Sequence, residues 1–317
     1  MPRKVIIDTD PGIDDAVAIC LALYDPNLDV LALTATAGNV SGEQATRNVQ
    51  VIVEQLDPPK WPRLACPAAI ENDWQPKRTD NIHGKDGLAD ADFKVAELRN
   101  LHPADKTIVE LVRAYPHEVT LITLGPLSNV ASAFERDPEL PALLDRIISM
   151  GGSVRSGGNV TAAAEFNIYC DPTSARDVFR SQAAMTLVPL DVTRQVVFTF
   201  NHLDQLPDSA TRAGRFVRKI LPFLFQTHHQ FRAMEGVYLP DAVAVAAASY
   251  PALVRTQALP ADVETVGTLT RGATVFDTRS PAVAEPNVEA ALEIDVESAI
   301  NYIIQTLQAA ARAEARA

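Results

Sequence analysis

The chain has 317 residues, of which 47% are hydrophobic and 21% are charged, and its formal net charge is −12. This balance is typical of a globular protein, and the negative field excludes nucleic acid and anionic membrane surfaces as partners. No apolar run approaches the roughly 20 residues of a membrane span, and the apolar stretch at residues 5–7 is too short for a signal peptide. Three scattered cysteines argue against a disulfide framework, so we expect a cytoplasmic protein.

Short apolar runs alternate with helical patterns along the chain, which predicts a parallel sheet wrapped by helices. The second half changes to longer helices, a strand-like stretch that we expect to form a small antiparallel edge, and a helical tail. We therefore predict one α/β domain over residues 1–317, with an open, mostly parallel sheet flanked by helices. The predicted strands are 4–8, 29–35, 119–124, 146–150, 185–190 and the strand-like stretch 254–278, and the predicted helices are 16–24, 43–56, 209–231, 241–249 and 296–317.

Predicted strands of this sheet run directly into Gly, Asp or Asn. Examples are GPLSN after residues 119–124, GGS after 146–150 and Asp191 after 185–190. All strands of a parallel sheet point one way, so these ends lie on one edge. Open α/β sheets bind their ligands at that edge.

The sequence DTDPGIDDA, residues 8–16, places four carboxylates around a Pro-Gly turn. Asp8 and Asp10 share a face of the strand, and the turn folds Asp14 and Asp15 back towards them. One interpretation is that these are only helix-start carboxylates, which favour the positive end of the helix dipole. The interpretation we favour is a bound divalent cation, calcium or magnesium rather than zinc, because the ligands are hard oxygens.

Two further segments carry polar groups next to apolar structure. Asn159, Glu165 and Asn167 lie in a Gly-rich stretch, residues 151–172, and two amides with a carboxylate suit a polyhydroxyl ligand. Solvated loop polarity is the alternative for this stretch. Asp241 begins an apolar helix, where a simple N-cap is the alternative to a functional carboxylate.

Seven segments in order resemble the inosine-uridine-preferring nucleoside hydrolase family. They are DTDPGIDDAVAI near the N-terminus, GN at 38–39, HGKDGL from 83, LGPLSN from 124, MGGS from 150, GNVTAAAEFN from 158 and DAVAVA from 241. The resemblance covers nearly the whole chain and implies a Rossmann-like fold. It also implies calcium-dependent hydrolysis of the N-glycosidic bond of ribonucleosides, giving ribose and free base.

Site residues follow from the resemblance by matching motif positions. It implies Asp10 as the general base, with Asp8 as structural support. The implied calcium ligands are Asp10, Asp15, the carbonyl of Leu124 and Asp241, and the implied ribose contacts are Asp14, Asn39, Asn159, Glu165 and Asn167.

The group that assists the departing base is the point at which the sequence leaves the family pattern. Many members carry a histidine directly before the last calcium aspartate, where this chain has Pro240. His83 matches an active-site histidine of the family and is the first candidate for contacting or protonating the base. Aromatic stacking by Phe166, Trp74 or Tyr238 is the alternative. We interpret His228, His229 and Arg232, in the wall over the base, as surface rather than catalytic residues.

Two other functions compete with this interpretation. Asp8-Thr9-Asp10 superficially fits a phosphatase of the haloacid dehalogenase type, although an Asn- and Glu-rich loop serves an anionic substrate poorly. Pro240 also leaves room for a calcium-dependent riboside-binding protein without activity. The resemblance further implies a homodimer or homotetramer, while the preferred base stays open.

Overall fold

The computed structural model describes residues 1–68, 82–96, 101–279 and 281–314. Strands and helices alternate along the first half of the chain, as the sequence predicts. The strands are β1 (Arg3–Thr9), β2 (Leu28–Ala35), β3 (Arg63–Cys66), β4 (His102–Pro103), β5 (Val119–Thr123), β6 (Arg146–Met150), β7 (Met185–Val188), β8 (Val197–Thr199), β9 (Gly236–Tyr238), β10 (Val254–Leu259), β11 (Ala261–Val263), β12 (Thr274–Phe276) and β13 (Val288–Ile294). The helices are α1 (Ile13–Tyr24), α2 (Gly42–Leu56), α3 (Ala104–Ala114), α4 (Ser128–Arg136), α5 (Leu140–Leu143), α6 (Phe166–Cys170), α7 (Pro172–Phe179), α8 (Leu190–Thr193), α9 (Phe200–Leu203), α10 (Arg212–Arg232), α11 (Pro240–Ser249) and α12 (Val296–Glu314).

Within these ranges, nine strands form one sheet in the order β10-β13-β7-β6-β5-β1-β2-β3-β4. Neighbouring strands are parallel except for the edge pair, where β10 runs antiparallel to β13. Two short antiparallel pairs, β11-β12 and β8-β9, lie outside the sheet. The prediction of a mostly parallel sheet with a small antiparallel edge is confirmed.

The direction of strand addition reverses at β1. The chain adds β2, β3 and β4 on one side of β1 and then returns to place β5 on the other side. Such a reversal leaves a crevice outside the carboxyl ends of the two strands, because the connections on either side diverge. Segments that follow β1 and β5 therefore meet at this crevice.

Hydrophobic residues cover both faces of the sheet. Val5 and Ile7 of β1 belong to one buried cluster, which also contains residues of α1, α10, α11 and α12. Ile6 points to the opposite face, into a second cluster with residues of α3, α4 and α7. This alternation buries β1 on both sides, which explains its continuous apolar run.

Helix α1 and strand β13 are among the elements that differ from the prediction. Helix α1 begins at Ile13 rather than at residue 16, because the Asp15 carboxylate accepts the backbone N–H of Gly12 at 2.9 Å and caps the first turn. Strand β13 was not predicted, and it lies in the sheet between β7 and β10. Within the described ranges, no helix has the length and apolar character needed to cross a bilayer.

Candidate active site

Buried carboxylates gather at the crevice between β1 and β5. Asp10 follows β1 directly, and Asp14 and Asp15 lie in the first turn of α1. Asp241 lies in the first turn of α11, which packs against α1. All four side chains are buried, although they come from opposite ends of the chain.

Three of these groups lie close enough to share one ion. Asp14, Asp15 and Asp241 each offer a carboxylate oxygen within 4.8 Å of the others. Burial, followed by the charge of Asp14, raises the pKa of Asp15 to about 7. Burial also raises the pKa of Asp10 and of Asp241 well above the ordinary range, with the Asp15 charge as the second cause in each. The cluster therefore resists holding all of its negative charge without a cation.

The two oxygens of Asp10 have different surroundings. Oδ2 accepts the backbone N–H of Asn39 at 2.6 Å, while Oδ1 is buried and has no hydrogen-bond partner among the described residues. Two glycines make room for this side chain. A Cβ at Gly38 would lie 2.0 Å from Oδ2, and a Cβ at Gly125 would lie 2.5 Å from Oδ1.

Asp8 lies deeper, at the end of β1. Its Oδ1 accepts hydrogen bonds from Thr34 Oγ1 at 2.5 Å and from Asn129 Nδ2 at 2.8 Å. Burial raises the pKa of Asp8 to about 7. Its backbone carbonyl accepts the N–H of Leu124 at 2.8 Å, which ties β1 to the start of the β5 turn. These contacts support the interpretation of Asp8 as a structural residue.

The predicted polyol residues reach the same crevice. Asn167 Nδ2 donates to the carbonyl oxygens of Leu124 at 2.7 Å and Met150 at 3.2 Å. Glu165 caps α6, because its Oε2 accepts the N–H groups of Asn167, Gly152 and Ile168. Asn159 has a buried side-chain oxygen with no hydrogen-bond partner among the described residues.

Asn39 links the carboxylates on the opposite side. Its Nδ2 lies 3.4 Å from Asp15 Oδ2 and 3.3 Å from the backbone oxygen of Asp10, to both of which it donates. The Asn39 side chain and backbone therefore fix the orientation of two predicted metal ligands at once. In this geometry Asn39 directly holds Asp10 and Asp15, in addition to any contact with a sugar.

His83 is buried beside Asp14 and the start of α1. Its Nδ1 accepts the backbone N–H of Ile13 at 3.2 Å and lies 3.5 Å from Asp14 Oδ1. Because Nδ1 accepts, Nε2 carries the proton of the neutral ring. Close packing of the ring requires Gly12, since a Cβ there would lie 2.9 Å from Nδ1.

Part of this site lines a cavity of about 510 Å³, a volume suited to a small ligand. Asp14, His83 and Asn159 line it together with Tyr238 and Pro240. Phe166 is buried at the first residue of α6, and Trp74 lies outside the described residues.

The wall formed by α10 differs from its sequence interpretation. His228 is buried and lines the cavity, so the expectation of a surface residue is wrong for it. Arg232 is half-buried and also lines the cavity, whereas His229 is exposed. Sequence reasoning missed Arg194, Phe231 and Met234 as lining residues. The residue spacing in α10 did not show which face of the helix lines the cavity, because that depends on the elements against which the helix packs.

The donor set fits a hard divalent cation. The carboxylates offer only oxygen atoms, and the partnerless Oδ1 of Asp10 is a buried acceptor that a cation would satisfy. Burial, followed by mutual repulsion, raises the pKa values of Asp10, Asp15 and Asp241, and a positive charge would relieve the repulsion. The described part of the cluster contains no thiolate or imidazole ligand, which zinc prefers.

The fold and the acidic crevice define a ligand-binding α/β enzyme, and the comparisons identify its class. The chain is 36% identical to the non-specific ribonucleoside hydrolase RihC of Escherichia coli (O1:K1), with 97% of this chain and 99% of the relative covered. It is 34% identical to a probable uridine nucleosidase 2 of Arabidopsis thaliana, with 96% and 97% covered.

Solved structures agree with this result. The plant nucleoside hydrolase PpNRh1 superposes with a TM-score of 0.90 at 32% identity, covering 97% of this chain and 99% of its own. A purine-preferring ribonucleoside hydrolase from Gardnerella vaginalis gives a TM-score of 0.90 at 30% identity, covering 98% and 100%.

The model of the inosine-uridine preferring nucleoside hydrolases matches residues 5–301. The chain belongs to this family, which cleaves N-glycosidic bonds of ribonucleosides and depends on a metal ion. The hydrolase interpretation is therefore confirmed over the phosphatase.

Proposed function

We propose that the protein hydrolyses ribonucleosides to ribose and free base with calcium as its ion and Asp10 as the general base. The observation that supports this most is the environment of Asp10. Its Oδ2 accepts the backbone N–H of Asn39, its buried Oδ1 has no hydrogen-bond partner among the described residues, and the charges of Asp15 and Asp14 act on it. Asp8 also has one buried oxygen without such a partner, but burial alone raises its pKa. A carboxylate held in this way has a fixed orientation beside the proposed ion and its water, as a general base requires.

The proposed calcium ligands are the carboxylates of Asp10, Asp15 and Asp241 and the backbone oxygen of Leu124. Asp14, which the structure groups with Asp15 and Asp241, completes the acidic surroundings. When bound, calcium would orient sugar hydroxyls and a water molecule, and it lowers the pKa of that water only modestly. A general base is still required for this reason.

Asp10 supplies the base step in this proposal. Its carboxylate takes a proton from water as the water oxygen bonds to the anomeric carbon and the bond to the base breaks. With the ion bound, its positive charge would keep Asp10 ionised, as a general base must be before it accepts a proton. General base catalysis of this kind contributes about 10²–10⁴-fold to the rate.

The sugar is proposed to lie against Asp14, Asn39, Asn159, Glu165 and Asn167, with Phe166 packed behind them. Asn159 has a buried acceptor without a partner in the described chain, and a sugar hydroxyl would satisfy it. Glu165 and Asn167 are fixed by backbone contacts, so their positions are set before a ligand arrives. His83, with its proton on Nε2, is proposed to contact the base.

A panel of ribonucleosides tests this function. Uridine, inosine, cytidine and adenosine are incubated with the protein in calcium chloride, and free base is measured by chromatography. We expect base release from at least one of them, loss of release with chelator, and poor release from the matching 2′-deoxyribonucleoside. Nucleosides that bind and stay intact would contradict the proposal.

The remaining expectations are also proposals. We propose a homodimer or homotetramer, which light scattering of the purified protein tests by mass. We propose a cytoplasmic location, consistent with the three free thiols, Cys20, Cys66 and Cys170. The boundaries of a single domain at residues 1–317 stay a prediction, which limited proteolysis tests.

A further inference from the structure

The cavity has a second end whose chemistry the acidic cluster does not explain. Pro240 lines the cavity and directly precedes Asp241, and its side chain has no proton to give to a departing base. If the sugar binds against Asp14 and Asn159, as proposed above, the base lies towards the remaining lining. The last turns of α10 supply much of that lining.

Three side chains from the end of α10 face the cavity. His228, Phe231 and Arg232 line it, and their spacing of three and four residues places them on one face of the helix. Only 1% of His228 is exposed, Arg232 is half-buried, and Phe231 is half-exposed at the rim. An apolar ring and a guanidinium next to each other suit the face and the edge of a heterocyclic base.

The contacts of His228 determine how Arg232 is held. His228 Nδ1 lies 3.1 Å from the backbone oxygen of Leu224, which can only accept, so Nδ1 carries the proton. Nε2 of the neutral ring is then an acceptor, and Arg232 Nη1 lies 3.3 Å from it. The rings of Tyr238 and His228 pack edge to face, with centroids 6.1 Å apart. His228 therefore tethers the guanidinium on the cavity wall.

We propose that Arg232, positioned by His228, stabilises the departing base in this enzyme and takes over the task of the histidine missing at position 240. This inference rests on the proposed hydrolysis of ribonucleosides. A guanidinium offers several N–H donors and a permanent positive charge, and the oxygens and ring nitrogens of a base are acceptors. Inside a partly desolvated cavity such a donor is worth more than it is in water.

The proposed step is balanced without a protonated histidine. Water bonds to the anomeric carbon and loses a proton to Asp10, while the electrons of the C–N bond pass to the base. The base leaves as an anion paired with Arg232, which keeps all of its protons at neutral pH. The base then takes one proton from solvent, and Asp10 returns one to solvent, so the net reaction is nucleoside plus water to ribose plus base.

The test compares substrates whose leaving groups need different amounts of help. Uridine and inosine carry poor leaving groups, whereas 4-nitrophenyl β-D-ribofuranoside releases a nitrophenolate that departs unaided. We expect Arg232→Gln to lower kcat for the nucleosides by about 10²-fold, as loss of an aimed donor does elsewhere, and to leave the nitrophenyl riboside close to wild type. His229→Gln, on the exposed side of the same turn, is the matched control and should change neither substrate.

A second pair of variants tests the positioning role. His228→Leu should reproduce the loss that is selective for nucleosides, and His228→Gln should recover part of it, because an amide oxygen can accept from the guanidinium. Equal losses on both substrates, or no loss on nucleosides, would overturn the inference. Nitrophenyl riboside turnover also shows that each variant is folded. Wild-type protein that releases no base from any nucleoside overturns the proposed function itself, before any variant is compared.

Discussion

At the scale of single residues, the two carboxylate oxygens of Asp10 differ in their surroundings. Its Oδ2 is fixed by the backbone of Asn39, and its Oδ1 lacks a partner within the described chain. The fixed oxygen sets the direction of the side chain without help from an ion. Burial of the other oxygen without a partner is unfavourable in free energy until a ligand or a cation binds to it.

Replacing Asp10 by asparagine should separate folding from chemistry. Asp10→Asn keeps an oxygen that accepts from Asn39 but removes the basic carboxylate, so we expect kcat to fall by about 10²–10⁴-fold. Removing one charge from a crowded buried cluster should not lower thermal stability in chelator, because repulsion among the acids decreases. Steady-state kinetics and thermal unfolding measure the two effects.

Asp8→Asn is the matched control, since Asp8 lies two residues earlier on the same strand. Its Oδ1 accepts from Thr34 and Asn129, and an asparagine oxygen can take over both bonds. We expect this variant to retain most of its turnover. If Asp10→Asn is as active as Asp8→Asn, the general base has been assigned to the wrong residue.

Residue patterns predicted the acids better than they predicted the α10 wall. Asp10, Asp14 and Asp15 are brought together by a short turn that the sequence displays, and Asp241 was placed by the resemblance. His228 was expected on the surface, because its burial depends on how α10 packs against β9 and on the contact with Tyr238. No local pattern contains that information.

The turns that follow the strands control the space around Asp10 at the scale of elements. Gly38 follows β2 and Gly125 follows β5, and each lies against one oxygen of Asp10. Neither glycine has a positive φ, so close approach rather than backbone conformation requires them. The absence of a side chain at Gly38 and Gly125 therefore leaves the space that the Asp10 carboxylate occupies.

Gly125→Ala should therefore impair catalysis with little effect on the fold. The new methyl group would lie 2.5 Å from Asp10 Oδ1, so the carboxylate must move. We expect kcat to fall at least tenfold, about 1.4 kcal/mol in barrier, while the far-ultraviolet circular dichroism spectrum stays unchanged. Glu135→Ala, on the exposed face of α4, is the control. Full activity of Gly125→Ala would show that the position of Asp10 is not critical.

Two substitutions of Glu165 can distinguish its role in capping α6 from its proposed role in binding the sugar. Glu165→Gln retains an oxygen that can accept the N–H groups at the start of α6, whereas Glu165→Ala removes it, at a cost of about 1 kcal/mol in stability. Both variants should raise KM for the preferred ribonucleoside, because the carboxylate charge is lost in each. Kinetics and chemical denaturation distinguish the effects. A normal KM in Glu165→Gln would limit Glu165 to the helix cap.

Element prediction succeeded where patterns were local. Strands β1, β2, β5, β6 and β7 have apolar runs and polar ends, and all of them were found. Strand β13 has the sequence VEAALEI, whose Glu, Ala and Leu are common in helices. It is a strand because it fills the place between β7 and β10, a long-range requirement that overrides its local preference.

At the scale of the whole molecule, the acidic cluster joins segments that are more than 200 positions apart in sequence. Asp10 directly follows β1, Asp15 lies in α1, and Asp241 lies in α11. The cluster is buried between α1 and α11, so an ion bound there would connect two elements of the same core. Binding of such an ion only to the folded state adds to stability.

Removal of the ion should therefore lower both stability and activity. At a calcium concentration about 100 times its Kd, the ion adds about 2.7 kcal/mol to the free energy of unfolding. We expect EGTA to lower the Tm and abolish base release, and excess calcium chloride to restore both. Asp241→Asn should show a much smaller change in Tm on chelation. A wild-type Tm and activity that chelator leaves unchanged would contradict a structural and catalytic ion.

The Leu124 carbonyl, a proposed calcium ligand, accepts a hydrogen bond from Asn167, a proposed sugar contact. In this proposal one atom takes part in both binding events, so we expect the occupancy of either ligand to alter the affinity for the other by the same factor. Ribose retained after turnover should slow the escape of calcium to a chelator. Product release and ion exchange would then be linked steps of a single cycle.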